Sequence, residues 1–148
     1  EAIQFTMAHD DGKKVDDINS ADVILLGVSR TSKTPTSIYL ANRGYKTVNI
    51  PLVLDHQIPT GLTKNNKSCI VGLFADPERL ADIRRNRVAI MNDNNLKEYT
   101  DLKFIKEEVQ NSKNLFKKNN WPVIDVTRRS VEETAASILK IIEIKKNK

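Results

Sequence analysis

Cysteine is almost missing from this 148-residue chain: Cys69 stands alone. A single thiol cannot close an internal disulfide, and it excludes a cysteine-rich zinc site. Cys69 lies in the apolar run "SCIVGLFA" at 68–75, so it reads as a small buried hydrophobe in a reducing, cytoplasmic setting. Aromatic residues are also scarce, at 5%, and none falls in a base-stacking pattern. The net charge of +5 and the pI of about 9.3 therefore point to an anionic ligand or partner, with no nucleic acid expected. Much of the excess lies in the tail, at Lys140, Lys145, Lys146 and Lys148. No apolar run approaches the ~20 residues of a membrane span, and no secretory signal is visible.

What remains is an ordinary globular composition, 39% hydrophobic and 29% charged, and enough chain for one core. The pattern alternates. Ile3, Phe5 and Met7 recur at period two and suggest a short strand, although Ala2 and Met7 also suit a helix. "DVILLGV" at 22–28 is a continuous apolar run, expected of a strand buried on both faces. "PTSIYLANR" at 35–43 predicts a helix with Pro35 in its first turn and Gly44 past its end. Further strands are predicted near 46–50, 68–75 and 121–127, and residues 54–67 read as a loop. Asp76-Pro77 starts a helix, a second runs near 101–119, and Ser130 with Glu133 forms a capping box before the last helix. Strands that alternate with helices and read as continuously apolar define an α/β fold with a parallel sheet flanked by helices.

The stretch "GVSRTSKTPTS" at 27–37 follows the first apolar strand and opens a helix. It matches the phosphate-loop pattern G-x-x-x-x-G-K-[ST] except at Ser32, where the second glycine belongs. In this reading Gly27 permits the turn, and the backbone N–H groups of Ser29, Arg30, Thr31, Ser32, Lys33 and Thr34 wrap a phosphate at a helix N-terminus. The nucleotide-binding set is thus Gly27, Val28, Ser29, Arg30, Thr31, Ser32, Lys33 and Thr34. Lys33 sets an ammonium on phosphoryl oxygens, and Thr34 offers a hydroxyl to Mg²⁺. Ser32 fits such a loop if its φ is negative.

Other candidates are weaker by spacing alone. "HDDG" at 9–12 supplies His9, Asp10 and Asp11, either as a base for a hydroxyl or as an ordinary turn. Asp125 ends an apolar strand and could hold Mg²⁺ or simply make a turn. Arg128 and Arg129 follow it. Arg79, Arg84, Arg85 and Arg87 read better as the solvated face of a helix than as a clamp on polyphosphate. His56 has no evident partner.

"HDDG", "ADVILLGVSRTSKTPTSIYLANRGYKTVNIPLV", "GLFADPERLADIRRNR" and "IDVTRRSVEETAASI", in this order over nearly the whole chain, resemble the pyruvate, phosphate dikinase regulatory proteins. These form one family of bifunctional kinases and phosphorylases with the phosphoenolpyruvate synthase regulatory proteins. Thr31-Ser32 resembles the dikinase branch; the synthase branch tends to have Cys-Gly there. The resemblance implies phosphorylation of a dikinase threonine with ADP, and its removal with inorganic phosphate to give pyrophosphate. It implies a phosphate-loop nucleotide site on Gly27 to Thr34. The chemistry of the residues is compatible with it, taking Lys33, Asp10 or Asp11, and Asp125 as the catalytic set and Thr34 and Asp125 on Mg²⁺. The resemblance also implies that residues 1–148 are a C-terminal domain whose parent has a further N-terminal region. A small-molecule kinase on the same loop, or a nucleotide-binding module without catalysis, are the alternatives. Either a monomer or a homo-oligomer fits.

Overall fold

The computed structural model describes residues 2–8, 20–28, 30–52, 58, 62, 67–91 and 101–146 (the backbone alone at 88–91 and 146). The elements run α1 (Ala2–Ala8), β1 (Val23–Gly27), α2 (Lys33–Asn42), β2 (Thr47–Pro51), β3 (Cys69–Phe74), α3 (Pro77–Met91), α4 (Leu102–Lys118), β4 (Val123–Asp125) and α5 (Val131–Lys146). The four strands form one sheet in the order β2-β1-β3-β4. Every pairing is parallel, with Val23 opposite both Thr47 and Cys69, and Phe74 opposite Asp125. The architecture is therefore the expected α/β one.

The strand β1 is buried throughout because helices cover both faces. Val23 and Leu25 join Leu40 of α2 and Ile138 of α5 in one core. Ile24 and Leu26 turn to the other face, with Val48, Ile70 and Phe116 of α4. The α4 ring of Phe116 lies directly on Gly72: a Cβ there would come within 2.5 Å of it. The expected capping box is formed, with Ser130 N–H donating to Glu133 at 3.2 Å and Glu133 N–H donating to Ser130 Oγ at 3.1 Å.

The N-terminal strand expected from Ile3, Phe5 and Met7 is instead the helix α1. Ile3 and Met7 are 42% and 61% exposed, so the period-two pattern is not the packing face. Ala2, Phe5 and Thr6 turn inward at i, i+3 and i+4, which is helical spacing. Thr6 also closes the sheet edge: its hydroxyl accepts from Thr47 N–H of β2 at 3.0 Å.

The helix α3 departs from its expected solvated basic face at one position. Arg84 is 1% exposed and donates to Glu108 of α4 at 2.7 Å. Arg79, Arg85 and Arg87 are exposed, as expected.

Candidate functional site

The chain goes from β1 to β2 on one side of the sheet, then returns to place β3 on the other side of β1. The crevice at the carboxyl ends of β1 and β3 is thus a topological switch point, where open α/β sheets take their ligands. The loop from Val28 to Ser32 leaves β1 at that crevice. Gly27 is needed there for close approach: a Cβ would meet Thr31 Oγ1 at 2.6 Å and the Leu73 carbonyl of β3 at 2.8 Å. Only a backbone without a side chain lets the loop lie against the neighbouring strand.

The loop is closed from inside. Thr31 is fully buried, and its hydroxyl donates to the Val28 carbonyl at 2.8 Å. Lys33 is 5% exposed, and its Nζ donates to the same carbonyl at 2.9 Å. A short chord from the first helical turn back to the loop's start places a buried ammonium at the end of β1. Thr34 is half-buried beside it, and Ser29 lies outside the described residues.

Ser32 does not meet the condition of a negative φ. Its φ is 62°, left-handed, not negative. Arg30 is left-handed too, at 72°. Ser32 therefore keeps the backbone geometry that a glycine would supply, at a steric cost of order 1–2 kcal/mol. Its side chain makes no capping bond to α2, so the first-turn amides are left to other acceptors. Pro35 stands third in α2, where its missing N–H costs nothing. Below the loop, Ser37 Oγ donates to the Lys33 carbonyl at 2.8 Å and accepts from Asn49 Nδ2 of β2 at 3.1 Å, tying the first turn to the sheet.

Asp125 reaches the same edge of the sheet, two strands from β1, roughly 10 Å by strand spacing. It accepts from the N–H of Thr127 at 3.0 Å and from its hydroxyl, which makes it a turn residue as well. The local sequence signal at Asp76 is that of a helix cap. It does cap α3, accepting from Arg79 N–H at 3.2 Å. It also follows β3, the strand directly beside β1, and its N–H donates to Thr127 Oγ1 at 2.8 Å. Thr127 thus links the two carboxylate residues across the strand ends. The available signal was an apolar strand ending in Asp, the same signal as at Asp125; which strand neighbours β1 is not a local property.

Arg129 is turned away to Ser137 Oγ of α5, at 2.7 Å, and Arg128 is exposed. His9, Asp10, Asp11 and His56 lie outside the described residues. Among the described residues, no group of three or more His, Cys, Asp or Glu could hold a metal ion by protein ligands alone. A metal here would need ligand oxygens from a bound phosphate, the usual arrangement for Mg²⁺. Burial pushes the Cys69 thiol up, with nearby Lys145 acting weakly against it, so it is no nucleophile at neutral pH. Among the described residues no helix is long and apolar enough to cross a membrane.

A strand, a lysine-bearing loop and a helix at a switch point define a class, and the family is shown directly. Residues 1–139 match the Kinase/pyrophosphorylase family, and the chain belongs to it. Among curated relatives, a protein of Pelagibacter ubique (strain HTCC1062) is 63% identical over 148 residues, covering 99% of this chain and 54% of its own length. A protein of Erythrobacter litoralis (strain HTCC2594) is 54% identical over 141 residues, 95% of this chain and 51% of its own. Both are named "Putative pyruvate, phosphate dikinase regulatory protein". This chain spans about half the length of the curated relatives it matches.

Proposed function

We propose that this chain carries the nucleotide site of a regulator of pyruvate, phosphate dikinase, which phosphorylates a dikinase threonine with ADP and removes that phosphate by phosphorolysis. The observation that carries the reading is the buried Lys33 ammonium at the mouth of the loop between β1 and α2. The family and the names of the relatives support a kinase/pyrophosphorylase type of activity and the dikinase as the partner.

In the forward direction, the threonine hydroxyl attacks the β-phosphorus of ADP. The new O–P bond forms as the bond from the β-phosphorus to the bridging oxygen breaks, and AMP leaves. Asp10 or Asp11 takes the hydroxyl proton. Lys33 and the loop amides stabilise charge on the transferred group. Lys33 leaves the Val28 carbonyl for a phosphoryl oxygen, exchanging a neutral acceptor for a charged one. In reverse, an oxygen of inorganic phosphate attacks the phosphothreonine phosphorus, pyrophosphate leaves, and the threonine oxygen regains a proton. Mg²⁺, when bound, would neutralise phosphoryl charge, and Thr34 with Asp125 or Asp76 would hold it.

The test is Lys33→Ala in the full-length protein, supplied with purified dikinase and ADP labelled in its β-phosphate. Transfer of label should fall by about 10²-fold or more, the usual loss when a charge-stabilising donor is removed. Unchanged transfer would remove the assignment. Nucleotide binding that persists with no transfer by the wild type would leave a binding module instead.

A further inference from the structure

The sheet's two edges are unlike. On β2, α1 stands over the edge and Thr6 takes the Thr47 amide. On the other side β4 pairs with β3 alone, so its outer edge carries no strand among the described residues. Beside β4, running along β3 from Ser68 to Phe74, lies a groove of about 950 Å³. Its floor and walls include Trp121, Val123, Ile141 and Ile144. Val123 and Ile144 are 48% and 55% exposed, two of the large apolar side chains left in solvent. Lys113, Lys117 and Lys145 also line it. Lys113 sits over the Phe74 ring at 4.5 Å, and Lys145 donates to the Ser68 carbonyl. The groove shares no lining residue with the loop at 27–34, and β4 lies two strands from β1, so this groove is separate from the site above and stands independently of its proposed function.

An open strand edge beside an apolar groove takes an extended segment by adding a strand, with alternate side chains in the groove. A second copy is a poor occupant, because it would bring the same three lysines to the same groove. The relatives are about twice as long as this chain, so a comparable length of polypeptide accompanies this domain in them. We propose that the β4 edge and its lysine-lined groove seat an extended, acidic and apolar segment from the other half of the full-length protein.

The experiment places the photoreactive residue p-benzoylphenylalanine at Val123 of the full-length protein and maps the crosslink by mass spectrometry. The expected product has monomer mass, with the crosslink to a peptide outside these 148 residues that contains Asp or Glu. Lys113→Glu with Lys117→Glu should then lower the yield by about fivefold or more, as like charges replace opposite ones. A dimer-mass product, a crosslink confined to these 148 residues, or no crosslink overturns the proposal. An unchanged yield in the lysine variant overturns the acidic assignment. The same probe at Ile144 gives an independent reading if the Val123 variant does not fold.

Discussion

The Thr31 hydroxyl donates to the Val28 carbonyl at 2.8 Å, and so holds the loop shut across three residues. Thr31 is fully buried, so the bond has no water to replace it. Thr31→Val keeps the shape and removes the donor. On the proposed function, it should weaken ADP binding by the full-length protein by about five- to tenfold, the value of one buried hydrogen bond. Thr31→Ser should bind nearly as wild type. Titration calorimetry with ADP distinguishes the two, and equal affinities for Thr31→Val and wild type would show that the bond does not shape the site.

Ser32 has a left-handed backbone that glycine adopts without steric cost. Ser32→Gly should leave the melting temperature unchanged or raise it, since relief of the Cβ contact offsets the added freedom of the unfolded chain. Ser32→Val should lower it by several degrees, because a β-branched residue is strained there. Thermal unfolding followed by circular dichroism reads both, and the order Val above Gly would contradict the observed φ.

Arg84 and Glu108 join α3 to α4 through a buried ion pair. Removing one partner leaves the other charge buried. Arg84→Met or Glu108→Leu should each cost about 3–5 kcal/mol, whereas Arg84→Met with Glu108→Leu should recover most of it. Urea unfolding of the four proteins closes the double-mutant cycle; strictly additive losses would show that the pair does not act as a unit.

Gly72→Ala would drive a Cβ into the Phe116 ring, at 2.5 Å. Overpacking of this kind costs about 1–3 kcal/mol. Phe116→Leu should be destabilising alone but partly rescue Gly72→Ala. A pair of losses that simply add would place the clash elsewhere.

Cys69 is held protonated by burial, above its ordinary value of 9.0. Its folded pKa exceeds the unfolded one, so its contribution to stability is whole below pH 9.0 and is lost as pH rises through the folded value. Cys69→Ala should therefore narrow the difference between melting temperatures at pH 8 and pH 10, and the wild-type thiol should react with iodoacetamide only on unfolding. Rapid labelling of the folded protein at pH 7 would refute the burial argument.

Much of this architecture is legible because β1 and β3 are buried on both faces, which forces long apolar runs, and because Asp76-Pro77 and Ser130-Glu133 mark helix starts by local chemistry. The failures are non-local. Ile3, Phe5 and Met7 alternate, but the packing of α1 against α2 and β2 selected Ala2, Phe5 and Thr6. Arg84 looks like a surface cation until α4 supplies Glu108 24 residues on. The left-handed backbone of Ser32 is not legible because the bonds of Thr31 and Lys33 to the Val28 carbonyl, which close the loop, cannot be seen in the letters. Asp76 and Asp125 carry the same local signal, and only the strand order puts Asp76 beside β1.

The hydroxyl of Thr6 on the Thr47 amide takes one edge of the sheet out of reach of further strands. A sheet that can grow from both sides can propagate into a fibre, since each added copy presents a fresh edge. With α1 posted at β2, growth through pairing of the described strands has only the β4 side to use, and the segment proposed to sit there would close that side too. Thr6→Val, by withdrawing the acceptor and leaving the edge amide unmet, would reopen the β2 side.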